Sequence, residues 1–335
     1  MFPIYRTTLS AFCLALILPC SQPVVAEDAA QTPTSEEATQ AAAVRRHPLP
    51  ERSQEDALAL ERQLPSQEQQ TLSAGNDNFL ALWKPANSRD PVGAVVIVPG
   101  AGETADWPQA VGPLRRKLPD ARWHSLSLTL PDLLGDAPQP RAVPPEPAPP
   151  PTTASTSQAT PPDAAASVEQ ATAPDTEPFD NAISAEQAQN AADAERIFAR
   201  IEAGIAYAQQ QKARTIVLLG HGSGAYWAAR YLNERQPPQV QKLVMVAART
   251  PVNASQGLDT LTPTLKLPTA DFFYSDRPQV RQAALQRLQA SKRAKDSGYS
   301  QVSLKALPGN KAAEQEQLFR RIRGWLGPEP DKTAF

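Results

Sequence analysis

Histidine and cysteine are scarce in this 335-residue chain, with three and two residues, and their scarcity narrows the nucleophile and metal chemistry open to it. The two cysteines, Cys13 and Cys20, both lie close to the N-terminus. The stretch that holds them reads as a secretory signal. Arg6 supplies the positive start, residues 9–18 an apolar core too short to cross a bilayer, and Val24-Val25-Ala26 a small-residue cleavage site before Glu27. Cleavage after Ala26 leaves no cysteine, and so no disulfide, no thiolate metal site and no cysteine nucleophile. A lipoprotein cleaved before Cys20 is the alternative, but it meets Pro19 where such sites want a small flexible residue. No other apolar run approaches the ~18 residues of a membrane span. H-E-x-x-H, Cys–His and EF-hand patterns are also lacking, so a dedicated metal site is unsupported and no cofactor is expected. A net charge of −2 gives no bulk attraction to nucleic acid. The expected location is the periplasm.

Proline is abundant, with 35 residues, and it is concentrated. Between residues 137 and 178 there are 12 prolines, many Ala, Ser and Thr, and no aromatic residue. Such a segment buries too little apolar surface to offset its ordering entropy and reads as a disordered insert over 137–180. The resulting division is a signal peptide (1–26), a disordered leader (27–50), a folded body in two parts (51–136 and 181–327), and a tail (328–335). Charge is uneven within the body. Residues 281–323 hold ten basic residues, among them Arg287, Arg320 and Arg321, against Asp296, Glu314 and Glu316. They read as two solvated helix faces, or as a surface for an anionic envelope component such as lipid headgroups.

The order of elements is legible from periodicity. A short helix is expected at 55–64, strands at 79–83 and 93–98, a helix at 108–118, and a strand at 123–130 whose alternation suggests one less-buried face. Beyond the insert, residues 185–211 carry Ile197, Ile201, Ile205 and Ala208 on one stripe. Ser184 and Gln187 read as the capping box of that helix. Strands at 215–219, 240–247 and 269–274, an edge-like strand around 302–306, and helices at 225–236, 278–294 and the C-terminus complete the body. This alternation implies an α/β fold, a mostly parallel sheet with helices on both faces.

Gly220-His221-Gly222-Ser223-Gly224 lies between the strand at 215–219 and the helix at 225–236. Strand, tight turn and helix form the context of a G-x-S-x-G nucleophile elbow. Here the middle position is Gly222, and the serine comes one residue late. This elbow, the Val98-Pro99-Gly100-Ala101-Gly102 turn and the terminal Arg321-Ile322-Arg323-Gly324-Trp325-Leu326 helix together resemble the α/β-hydrolase superfamily. The stretches Phe79-Leu80-Ala81-Leu82-Trp83, Asp106-Trp107-Pro108 and Leu126-Ser127-Leu128-Thr129-Leu130-Pro131-Asp132 are similar to an uncharacterised exported proteobacterial family of that fold, catalogued as a domain of unknown function.

The resemblance implies a nucleophile, a base, an acid and an oxyanion hole. Ser223 is the candidate nucleophile, or else the residue whose N–H serves an oxyanion hole or whose hydroxyl caps the helix. The superfamily's base follows the last strand, where this chain reads Leu307-Pro308-Gly309-Asn310-Lys311 without histidine. Of the three histidines, His47 falls in the leader, His124 at a strand start, where it reads as structuring the turn, and His221 inside the elbow, as a packing histidine or else an improvised base. Asp276 stands near the acid position and also fits an N-cap before Pro278; Asp271 lies inside the preceding strand. Gly100, Ala101 and Gly102, with Gly222 and Ser223, are the expected oxyanion or ligand-binding set. Glu103 and Asp106 read as solvated loop carboxylates, or else as carboxylates that reach the pocket mouth. The preferred function is binding of a small molecule or partner in a remnant pocket with a degenerate triad. The alternatives are a carboxylic-ester hydrolase using Ser223 on an acyl ligand, and an envelope-interaction protein.

Overall fold

The computed structural model describes residues 51–133, 177–295 and 298–327, the side chains of 177–186 excepted. The expected signal, leader and tail, with His47 and the cysteines, lie outside the described residues. So does the expected insert, except that residues 177–180 are already helical. Pro178 falls in the first turn of this helix, where proline is tolerated.

In chain order the elements are α1 (Arg52–Gln63), β1 (Gln69–Ala74), β2 (Asp77–Lys84), β3 (Gly93–Val98), α2 (Val111–Lys117), β4 (Trp123–Leu128), α3 (Glu177–Gln210), β5 (Ile216–His221), α4 (Ser223–Arg235), β6 (Val240–Val246), α5 (Leu258–Leu261), β7 (Thr269–Tyr274), α6 (Pro278–Arg293), β8 (Tyr299–Leu304) and α7 (Lys311–Leu326). The eight strands form one sheet in the order β1-β2-β4-β3-β5-β6-β7-β8. β2 is antiparallel to both its neighbours, and β4 onward the ladder is parallel.

The continuous apolar run of β3 is explained by burial on two faces. Val96 and Val98 pack with Ile197, Ile201 and Tyr226 of α3 and α4 on one side. Val95 and Ile97 pack with Leu114, Leu318 and Ile322 of α2 and α7 on the other. β8 sits at the sheet edge, as its alternation suggests.

Three expectations differ. β1 carries one large apolar residue, Leu72, and periodicity alone passes over it; the Gly75-Asn76 turn between Ala74 and Asp77, with Gly75 at φ +62°, closes the hairpin. β4 has no solvated face, because Ser125 and Ser127 are fully buried beneath flanking elements and Ser125 Oγ donates to the Arg115 carbonyl at 2.7 Å. Ser184 is not at the start of α3, which begins at Glu177 and carries Ser184 in its interior.

Two buried ion clusters brace the periphery. Asp271 in β7 is fully buried; Arg287 Nε donates to its Oδ2 at 2.8 Å, and Tyr299 Oη donates to the same oxygen at 2.6 Å. Burial and the Asp271 carboxylate together hold the Tyr299 phenol far above its usual range. Arg287 therefore does not belong to a solvated basic face. Arg115 is likewise buried, reaching Asp106 at 2.9 Å and Glu68. Asp106 also takes Arg116 at 2.8 Å, so it is a structural carboxylate rather than a solvated one.

Candidate ligand-binding site

The site is built where β3 and β5 end side by side, Val98 opposite Gly220. Close approach dictates the outer glycines of the elbow. A Cβ on Gly220 would lie 2.3 Å from Ala225 Cα, and one on Gly224 would lie 2.2 Å from the Val98 carbonyl oxygen. Gly222 is dictated instead by its backbone, φ 57° and ψ −124°, a region that side chains rarely enter. A strained turn of this kind is what an elbow uses to lift one side chain clear of the sheet. Here there is no side chain to lift. The point where a Cβ would stand faces the Arg249 guanidinium, with Nη2 at 3.3 Å, and Glu103 Oε1 at 3.8 Å.

Ser223 opens α4. Its Oγ accepts a hydrogen bond from the Ala101 N–H at 2.7 Å. The serine hydroxyl thus covers the amide that an oxyanion hole would present. Among the described residues no hydrogen bond joins Ser223 to His221. His221 Nδ1 lies 2.7 and 2.8 Å from the two oxygens of Glu103, so Nδ1 donates and the carboxylate accepts. Glu103 Oε2 also accepts from the Gly100 N–H at 2.8 Å. With its side chain only 7 % exposed, Glu103 is a buried carboxylate that ties the 100–103 turn to the elbow, not a solvated loop residue. Arg52 Nη1 donates to the Gly102 carbonyl at 3.1 Å and pins the same turn from outside.

Asp276 is not part of this cluster. Its carboxylate is 45 % exposed, 3.8 Å from Arg277 Nε, and the N-cap of α6 is Arg277 without a side-chain cap. His124 is a structural residue: it stacks on Trp83 at 5.0 Å, and its Nδ1 accepts from the Ala86 N–H at 3.0 Å. Burial lowers its pKa from the usual histidine value. The structure therefore brings together Gly100, Ala101, Gly102, His221, Gly222 and Ser223, and leaves Asp276 apart.

Beside the elbow opens a cleft of about 290 Å³, lined by Ala101, Ser223, Leu133, Tyr226, Trp227 and Val252 among others. Small-ligand sites begin at about this volume. Asn190 Nδ2 of α3 donates to the Asn253 carbonyl at 2.8 Å across the rim. Sequence reasoning missed the wall residues Tyr226 and Trp227, which read there only as helix, and Arg249, which no local motif marks. Glu103 was visible, but its partner lies 118 positions away.

The profile of a family described as "Protein of unknown function (DUF3530)" matches residues 9–328. The chain belongs to this family. No curated protein sequence matches it. Among solved structures it is similar to the esterase Pf2001 of Pyrococcus furiosus at 10% identity and a TM-score of 0.50, covering 77% of this chain and 89% of that one. It is also similar to a dienelactone hydrolase from Anabaena variabilis at 14% identity and a TM-score of 0.48, with 77% and 97% covered. The likeness to Pf2001, with the strand order, shows an α/β-hydrolase-like fold for this DUF3530 member. Among the described residues no helix is long and apolar enough to cross a membrane.

Proposed function

We propose that this protein is an exported binding protein on an α/β-hydrolase-like frame, holding a small ligand in the cleft over Ser223 without acyl transfer. The bond from the Ala101 N–H to Ser223 Oγ carries this reading. A nucleophile must point its oxygen at an acyl carbon while the oxyanion donors stay open. Here the hydroxyl and the donor satisfy each other. The Gly222 point, from which attack would start, bears no side chain, and the one imidazole nearby is turned toward Glu103. A triad degenerate in this way leaves a preformed, partly apolar cleft beside polar backbone, which suits binding. Export rests on Arg6, the apolar run 9–18 and the small residues before Glu27.

The test is binding of N-phenyl-1-naphthylamine, an uncharged fluorescent probe, to the purified mature chain. One saturable site should appear. It should be lost on Ala254→Trp, which fills the cleft, with the circular dichroism of the fold retained. Equal binding by both proteins would place the probe elsewhere and remove the support for this cleft.

A further inference from the structure

Arg249 is carried to the elbow by a backbone built for that purpose. After β6 the chain passes through Ala247, a non-glycine residue in the left-handed region at φ 48°, whose N–H donates to the Phe272 carbonyl at 2.8 Å. It then turns back. Arg249 N–H donates to the Gly222 carbonyl at 3.0 Å, while Gly222 N–H donates to the Val246 carbonyl at 2.9 Å. Segment 246–249 is thus clamped to the elbow from both sides. The clamp sets the guanidinium over the bare α-carbon of Gly222. Arg249 is exposed, and among the described residues its guanidinium makes no hydrogen bond or ion pair. The other arginines around the cleft are engaged: Arg230 with Glu234 at 2.6 Å, Arg52 with Asp132 at 3.1 Å, and Arg196 with Glu51 at 2.5 Å.

A second observation points into the cleft itself. Tyr226 lines it and is fully buried, yet its hydroxyl has no hydrogen-bond partner among the described residues. A buried hydroxyl left unpaired is costly unless something enters to pair with it. Ser223, next to Gly222, and Pro251, two residues beyond Arg249, both line the cleft, while Arg249 itself stands outside its lining.

Resting on the ligand-binding reading above, we infer that the ligand is a monocarboxylate on a compact apolar body. Its carboxylate pairs with Arg249 at the elbow, where the first-turn N–H of Ser223 lacks an intrahelical acceptor. Its body lies against Trp227 and Val252 and reaches the Tyr226 hydroxyl with a polar atom or a bound water. A single negative charge is favoured over two, because Glu103 stands close to the same point and repels a second.

The experiment is displacement of N-phenyl-1-naphthylamine by octanoate and by 1-octanol, on wild type, Arg249→Gln and Tyr226→Phe. Octanoate should compete at least about tenfold better than octanol on wild type, and Arg249→Gln should abolish that advantage, bringing the two competitors level. The advantage should also shrink at high salt. Tyr226→Phe should weaken both competitors and keep the ratio between them. If octanoate and octanol compete equally on wild type, or if Arg249→Gln leaves their ratio unchanged, the carboxylate inference is overturned while cleft binding survives. If the probe itself does not bind, the ligand-binding reading falls, and this inference with it.

Discussion

Placing a side chain back on the elbow is the sharpest perturbation of this architecture. Gly222→Ser introduces a hydroxymethyl group at φ 57°, ψ −124°. Holding a non-glycine residue there costs on the order of 1–3 kcal/mol. Sterics add little, because the nearest atom to the new Cβ is the free end of an exposed arginine, Arg249 Nη2 at 3.3 Å, which can move aside. The expected loss is therefore about 1–3 kcal/mol in urea denaturation, with the denaturant slope unchanged. Gly224→Ser is the contrast: its Cβ would meet the Val98 and Pro99 carbonyl oxygens at 2.2 and 2.3 Å, so backbone must shift, and the loss should reach about 4 kcal/mol or prevent folding. Neither change should create an esterase. The new hydroxyl of Gly222→Ser would find His221 committed to Glu103 and no histidine in the 305–311 loop. Hydrolysis of p-nitrophenyl butyrate should stay at the wild-type background. Turnover well above it would refute the reasoning that a base is missing, and unchanged stability would refute the assignment of strain to the turn.

Asp271→Ala strands the buried Arg287 guanidinium and should cost about 3–5 kcal/mol by the same denaturation assay; Arg320→Ala on the exposed face of α7, whose partner is Glu316, should change stability by less than about 1 kcal/mol. His124 has a folded-state pKa lowered from 6.5, and it accepts a hydrogen bond through Nδ1. Below about pH 6.5 the unfolded chain then binds more protons than the folded one, so stability falls as pH drops toward the lowered value and levels off beneath it. His124→Gln should flatten that part of the melting-temperature profile. Ser223→Ala removes the acceptor of the Ala101 N–H and should cost about 0.5–1.5 kcal/mol, measured by urea denaturation.

The fold was largely legible because its signals are local. The two-face burial of β3 is spelled by its unbroken apolar run, and the stripe of Ile197, Ile201 and Ile205 marks α3. β1 escaped because Gln69–Ala74 offers only Leu72 to a periodicity reading, and β4 was misjudged because Ser125 and Ser127 are buried rather than facing water. The site was half legible. The glycine spacing marked Gly222 as the middle of a tight turn between β5 and α4, and the turn's dihedral angles are ones that glycine alone adopts readily. The residues that fill the point could not be read, because Glu103 and Arg249 reach it from different strand ends through tertiary contacts. Alternation and motif spacing carry no information about such approaches.

The central claim is that this elbow does not acylate, and the direct measurement is reaction of the purified protein with a fluorophosphonate probe, read by intact mass. The account predicts no adduct on wild type and none on Ser223→Ala under conditions that fully label an active serine esterase. A stoichiometric adduct on wild type that disappears in Ser223→Ala would contradict it.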